Sequence, residues 1–464
     1  MKNYDLIIIG TGGGTKISSS ALKLGKKIAL IEKSKAGGTC LNRGCIPSKM
    51  FIHPSNLLQN IKTLDRLKIK TNIENIEFSE LVSMINNHTD SSSANIDAHY
   101  ENADNADYFK GHGKFISDYV IEVNGEKLTA PKIIIAAGSR PSIPNIKGLA
   151  HTPFMTSNEA LRNKKIPKRL IVLGGGYIAT ELGGAYSGYG SEVTFILRST
   201  FLKREDPEIV EIFDKEFSKD KKIYKHTDVL SVNYEDQEFE VKIVNSQGQE
   251  EFLKADALLV TTGVMPNSDK LGLENTKIKI KKDGFIEVNK FLETSVKGVF
   301  AIGDVAGNYL FRHSVNFEAE YWVENNLLSE TPNPIDYPPV PSAVFTHPEI
   351  ASVGLNETEA KTKNIDFVIG RASYKSIAMA KARGLDMGLV KLLFEKNNHK
   401  LIGAHIIGDE ASTMIQELVL AISNDLRAED IYRQIYIHPA FPEVVRNAVR
   451  NALKELDAKY QILF

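Results

Sequence analysis

The chain has 464 residues, 42% hydrophobic and 25% charged, the profile of an ordinary globular protein of about three domains. Its 57 basic and 58 acidic side chains leave a formal charge of -1, so no global basic field draws in nucleic acid or an anionic membrane. There are two cysteines, Cys40 and Cys45, too few for a secreted disulfide scaffold or a cysteine-ligated structural zinc site.

The opening MKNYDLIIIG runs straight into a strand, without the basic, apolar and small-residue regions of a secretory signal. Apolar runs such as Leu6–Ile9 and Ile133–Ala137 fall far short of the ~18–20 residues that span a bilayer. A cytoplasmic protein is expected. Strand Asp5–Ile9, the turn GTGGGT, helix Lys16–Lys23 and strand Lys27–Ile31 form a βαβ unit ending at Glu32. Gly10 and Gly12 stand where a tight turn and close approach to a pyrophosphate are needed, ahead of a helix N-terminus that supplies N–H donors. Glu32, twenty residues after Gly12, is placed to accept ribose hydroxyls. Thr15 replaces the third glycine, whose role is helix–strand packing.

Next comes GGTCLNRGCIPSK, Gly37 to Lys49. Four residues separate the cysteines, a spacing one irregular helical turn can bridge. A helix start here lowers a thiolate pKa and Lys49 adds positive charge; the alternative is two reduced cysteines acting as small hydrophobes. Thr89–Asn105 reads as a helix. Lys132–Pro141 (KIIIAAGSRP) and Ala255–Asn267 (ADALLVTTGVMPN) each read as a buried strand breaking at a turn with glycine and proline.

A second βαβ unit joins strand Arg169–Leu173, the turn GGGYIATELGG and strand Glu192–Leu197. Gly174, Gly176 and Ala179 give the alanine form of the same fingerprint. Its second strand ends at Arg198, with Lys203 and Arg204 following. Arginine there suits the 2′-phosphate of NADP, or else is a solvated strand end. One fingerprint ending in glutamate and one in arginine suggest two dinucleotides, FAD in the first and NADPH in the second. Five prolines in Thr331–Ala343 mark a linker. Strands Gly388–Phe394 and Lys400–Ile407 then alternate with helices Thr413–Leu420 and Glu443–Leu453, an α+β pattern. His438 and Glu443 in IHPAFPE form a base–orienter pair, the carboxylate fixing the tautomer and raising basicity. No histidine–carboxylate cluster has metal-ligand spacing.

The combination GGTCLNRGCIPSK, AAGSRP, GGGYIATELG, VFAIGD and IHPAFPE resembles the class I pyridine nucleotide–disulfide oxidoreductases, from the first strand to the final helix. The resemblance implies an α/β fold with two Rossmann-like dinucleotide-binding domains, for FAD and NAD(P), and a C-terminal α+β dimerisation domain. The expected divisions are 1–147 and 276–338 for FAD, 148–275 for NAD(P) and 339–464 for the interface. It implies that Cys45 lies beside the flavin and Cys40 meets the substrate. Lys49 approaches the flavin and pairs with Glu181. The dyad His438–Glu443 reaches the disulfide of the other subunit, so the homodimer has a composite site. Asp304 sits by the FAD ribityl chain. Cofactor binding is further assigned to Gly10, Gly12, Glu32, Lys33, Gly38, Thr39, Gly113, Gly138, Gly174, Gly176, Arg198, Arg204 and Gly263.

The implied reaction is a relay from nicotinamide to flavin to Cys40–Cys45, then thiol–disulfide exchange with substrate, in either direction. CIPSK looks like dihydrolipoamide dehydrogenase, the leading expectation, with a lipoyl-type or small-molecule dithiol or disulfide as substrate. LFRHSVNFEAE and IHPAFPEVVRNA look most like mycothione reductase, and an NADPH-dependent reductase of low-molecular-weight disulfides is the alternative. A flavin NAD(P)H oxidase is a third reading. No extra cysteine pair near the C-terminus supports a mercuric reductase. Two residues depart from the family pattern: Val264 stands where arginine is usual, and Arg43, between the cysteines, either meets an anionic substrate or points to solvent.

Overall fold

The structure, a computed structural model, describes residues 1–61, 64–457 and 459–463. The first unit is β1 (Leu6–Ile9), α1 (Gly14–Lys23) and β2 (Ile28–Glu32), followed by α2 (Gly38–Arg43), α3 (Cys45–Ile61), α4 (Phe78–Glu101), β3 (Ala106–Lys110) and β4 (Lys132–Ile135). All four residues of β1 are buried, as an uninterrupted apolar run requires of a parallel strand covered on both faces. β1 is accordingly the centre of a five-stranded sheet, between β2 and β4.

The packing role expected of the third fingerprint glycine falls to Gly14. A Cβ there would come within 2.7 Å of Ile8 Cγ2 on β1. Thr15 is thereby free to close the turn, its hydroxyl donating to Gly12 O at 2.9 Å. The helix expected over Thr89–Asn105 runs from Phe78 to Glu101 instead. Its buried stripe, Phe78, Val82, Ile85, Thr89 and Ser93, has helical spacing. Two of those positions are small polar residues, which hid the period; Ser93 satisfies its hydroxyl on Ala36 O at 2.8 Å.

The second unit is β5 (Arg169–Leu173), α5 (Tyr177–Gly188), β6 (Glu192–Ile196), α6 (Pro207–Phe217), β7 (Lys222–Tyr224) and β8 (Ala257–Val260), in a parallel sheet of order β7-β6-β5-β8. After it β9 (Val299–Ala301) returns to the edge of the first sheet beside β4. The two stretches read as strands breaking at a turn each continue as a further short strand. Ser139–Pro141 and Val264–Pro266 pair antiparallel with one another, and tie the two nucleotide-type units together.

The proline-rich segment links α7 (Arg312–Val323) to an antiparallel sheet of β10 (Ser342–Val344), β11 (Ile350–Gly354), β12 (Phe367–Ser373), β13 (Leu389–Glu395) and β14 (Leu401–Ile407), in the order β10-β11-β14-β13-β12. With α8 (Ala411–Ser423) and α9 (Glu443–Leu456) this makes the α+β region expected. Its seam with the second unit is polar. Lys391 on β13 is fully buried, its Nζ 2.8 Å from Asp206 Oδ1, 3.1 Å from Glu208 Oε2 and 2.7 Å from Glu357 Oε2. No helix among the described residues is long and apolar enough to cross a membrane.

Candidate redox and nucleotide sites

The turn after β1, the end of β2, the α2–α3 segment and the loop after β9 enclose one cavity of about 1620 Å³. Small-ligand pockets occupy roughly 300–1,000 Å³, so the space suits a dinucleotide with room for a second reactant. Its walls bring together Gly10, Gly12, Glu32, Lys33, Gly38, Thr39, Cys40, Cys45, Lys49, Gly113, Gly138, Glu181, Gly263 and Asp304. Gly174, Gly176, Arg198, Arg204, His438 and Glu443 lie outside it.

Two glycines show why the walls are bare. Gly10 has φ +104°, and a Cβ there would fall 2.3 Å from Ala136 O. Gly38 has φ +64°, and its Cβ would fall 2.8 Å from Gly12 Cα. A side chain at Gly38 would therefore fill the space over the first turn of α1. That helix starts without a side-chain cap or an acidic residue, so its first N–H groups face the cavity.

Glu32 is buried and anchors the turn, accepting from Thr11 N at 3.0 Å, Thr11 Oγ1 at 2.6 Å, Ser34 N at 2.9 Å and Ser34 Oγ at 3.1 Å. Asp304 accepts from Ser139 Oγ at 2.5 Å, and burial nonetheless pushes its carboxyl above the usual range. His112 Nδ1 and Asn316 Oδ1 are buried on the wall with no hydrogen-bond partner among the described residues. Unpaired buried polar atoms are costly. Two of them, bare N–H groups and glycine cradles fit a large polar cofactor such as FAD.

The cysteines meet because two helices abut at Gly44. A Cβ there would lie 2.9 Å from Thr39 O, so α3 starts hard against α2. The sulfurs are within hydrogen-bonding reach as thiols. The Cys40 thiol is brought down to about 7, chiefly by the bond from Cys45, against burial, with help from Arg312 and the backbone N–H groups of Cys45 and Ile46. Those N–H groups belong to the first turn of α3. The expected helix-start effect therefore acts on Cys40, across the gap. Cys45 is more exposed than Cys40, yet the bond it donates to Cys40, with some desolvation, pushes its thiol up in spite of Lys49.

Lys49 Nζ is 2.7 Å from Glu181 Oε2 and 4.5 Å from the centre of the Phe345 ring. Glu181 is buried and also accepts the Phe345 N–H at 3.0 Å, whereas Lys49 is 37% exposed and faces the cavity. The pair is half-buried. Helix packing sets its position: Ser55 Oγ on α3 donates to Ala185 O on α5 at 2.8 Å, and a Cβ on Gly188 would meet Ser55 Oγ at 2.1 Å. Arg43 is half-buried beside Cys45, with no hydrogen bond or ion pair among the described residues.

His438 Nδ1 is 2.7 Å from Glu443 Oε1, and Ala440 N donates to the other carboxylate oxygen at 3.0 Å. Burial raises the Glu443 pKa, but these bonds outweigh it and hold the carboxyl below its usual range. With Nδ1 on the carboxylate, Nε2 is the outward nitrogen. His438 is 72% exposed, and Ile435 and Ile437 beside it are 100% and 79% exposed.

In the second unit, α5 also begins uncapped at Gly176 with no acidic residue in its first turn. Arg198, Lys203 and Arg204 are exposed past the end of β6 and carry no hydrogen bond or ion pair among the described residues. Four residues escaped sequence reasoning. Arg312, Phe345 and Tyr177 stand on the cavity wall, and buried Glu205 accepts the Tyr177 hydroxyl. The position of Tyr177 at the start of α5, directly after the glycine turn, was the one available signal.

Residues 4–324 match the pyridine nucleotide-disulphide oxidoreductase family and residues 340–449 its dimerisation domain. The chain is 35% identical over 462 residues to mycothione reductase of Mycobacterium tuberculosis (strain ATCC 25618 / H37Rv), covering 97% of this chain and 99% of that enzyme. It is 32% identical over 461 residues to dihydrolipoyl dehydrogenase of Bacillus subtilis (strain 168), covering 97% and 96%. The fold is similar to that of the HOCl-induced flavoprotein disulfide reductase RclA from Escherichia coli, with a TM-score of 0.86, 25% identity and coverage of 98% and 100%. Together with the paired cysteines and the two glycine turns, this shows that the chain belongs to the pyridine nucleotide-disulphide oxidoreductase family of flavoproteins.

Proposed function

We propose that the chain is an NADPH-consuming reductase of a low-molecular-weight disulfide, working as a homodimer. The observation that carries this reading is the arm of three exposed, unpaired cations, Arg198, Lys203 and Arg204, where the second nucleotide's ribose would lie. In a dinucleotide without a 2′-phosphate these charges have nothing to neutralise them.

FAD would be held by the first turn through Gly10 and Gly12, by Gly38 and Thr39, and by Gly113, Gly138 and Asp304. A ribose hydroxyl reaching Glu32 would replace the Ser34 hydroxyl, the longest of its four contacts; Lys33 stands at the same end. When bound, the flavin supplies a two-electron carrier between nicotinamide and disulfide. Gly174, Gly176 and Gly263 border the approach of the nucleotide. Lys49 and Glu181 balance one another's charge where the two reactants meet. Cys40, with the lower pKa, attacks the substrate disulfide as thiolate and releases one thiolate; Cys45 then attacks the Cys40 sulfur of the mixed disulfide, forming Cys40–Cys45 and releasing the second. Nε2 of the partner subunit's His438, oriented by the partner's Glu443, supplies the proton to the departing thiol. The exposed Ile435 and Ile437 would then be covered in the dimer.

The CIPSK segment favours a second reading, a dihydrolipoyl dehydrogenase with NAD. Anaerobic titration of the flavoprotein with NADH and NADPH separates the two. Faster flavin reduction by NADH, unchanged in Arg198→Gln and Arg204→Gln, would overturn the first reading. Turnover with lipoamide and a panel of small-thiol disulfides then identifies the substrate.

A further inference from the structure

The cationic arm ends in two acidic residues that face inward. Asp206 is fully buried against Lys391, while Glu205 is 6% exposed and has no lysine or arginine partner among the described residues. Instead, Glu205 is surrounded by hydroxyls. Its Oε1 accepts from Tyr177 and lies 3.4 Å from Ser342 Oγ; its Oε2 accepts from Ser352 Oγ at 2.5 Å. Ser342 and Ser352 belong to the dimerisation region, and behind Ser352 the buried His405 Nδ1 lies 3.2 Å from the same hydroxyl.

Tyr177 and Ser342 are the members of this group on the cavity wall, and Tyr177 is the one on the nucleotide-type unit. It is the first residue of α5 and stands four residues before Glu181, so the two share a helix face. Its ring stacks toward Phe311 at 6.3 Å and 22°. Along α5 it stands between the second glycine turn, which ends at Gly176, and Glu181 on the cavity wall. A buried carboxylate held by hydroxyls alone returns little stability for its desolvation. Position is what it supplies.

We propose that Glu205 is a positioning residue. It fixes Tyr177 from the dimerisation region, and so couples the arm that holds the nucleotide to the ring along which the nicotinamide approaches. This rests on the reading of the second glycine turn as the nicotinamide-nucleotide site.

The test is anaerobic stopped-flow reduction of the flavin by NADPH in the wild-type holoenzyme, Tyr177→Phe, Glu205→Gln and the double variant. Tyr177→Phe keeps the ring and loses only the hydroxyl. Each single variant is expected to change the apparent nucleotide dissociation constant or limiting reduction rate by about tenfold, the factor one hydrogen bond to a charged group carries. The double variant should be no worse than the worse single one. The rate at which the reduced enzyme reacts with disulfide should not change. Unaltered reduction in Tyr177→Phe overturns the proposal whether or not Glu205→Gln folds, and so do additive effects in the double variant. Failure of wild-type flavin to be reduced by either nucleotide would instead refute the nucleotide-site reading beneath it.

Discussion

The cysteine pair makes a quantitative prediction about reactivity. An isolated thiol with its ordinary pKa of 9.0 is only about 1% thiolate at pH 7. With the first proton of the pair released at about 7, roughly half of the Cys40 population is thiolate at that pH, some fifty times more. Iodoacetamide alkylation of the reduced holoenzyme, followed from pH 5 to 10 with the modified cysteine identified by peptide mass, reads this directly. The order of causes predicts the variants. Cys45→Ala removes the largest stabilising contact and should shift the alkylation midpoint upward toward 9.0. Arg312→Gln removes a smaller, through-space contribution and should shift it upward by less. Cys45 in the wild type should stay unmodified until Cys40 has reacted, because its own proton is held by the bond to Cys40. The reasoning fails if Cys45→Ala titrates at or below the wild-type pH, or if Arg312→Gln shifts further than Cys45→Ala.

Three further outcomes are expected. Glu443→Gln leaves His438 unoriented and should lower disulfide turnover by about a hundredfold or more, with flavin reduction by nucleotide unchanged; equal loss in both half-reactions would refute the assignment. Lys391→Met strands Asp206 in a fully buried site and should destabilise the protein by about 3–5 kcal/mol, seen as a lower denaturation midpoint; an unchanged midpoint would show that the buried cluster is not an interdependent ion-pair network. Gly38→Ala introduces a Cβ 2.8 Å from Gly12 Cα, so the purified variant should have a flavin-to-protein ratio near zero while its circular dichroism stays folded. Full flavin occupancy would place the cofactor elsewhere.

Much of the scaffold was legible because its signals are local. Buried parallel strands are short apolar runs, and Arg169–Leu173 was delimited to the residue. The cysteine segment and the His438–Glu443 spacing are likewise contiguous in the chain. What escaped depends on contacts made far along it. α4 was recognised only in its second half because Thr89 and Ser93 occupy core positions that an apolar period does not reveal. Lys391 reads as a solvated charge until three carboxylates from other segments converge on it. Glu205 lies 147 residues from Ser352, and nothing near it in sequence marks it as an acceptor. The pKa order of the cysteines also needed the structure, since the N–H groups that lower Cys40 come from the helix its partner begins.

The seam around Lys391 limits how the enzyme can move. On one side the second unit is stitched to the first by the Ser139–Pro141 and Val264–Pro266 ladder. On the other, consecutive residues Glu205 and Asp206 are fastened into the dimerisation region. Contacts at two separate edges resist the swing of the second unit away from either neighbour. Closure of the second unit is then not expected to limit the rate, and turnover should be insensitive to solvent viscosity beyond its effect on diffusion.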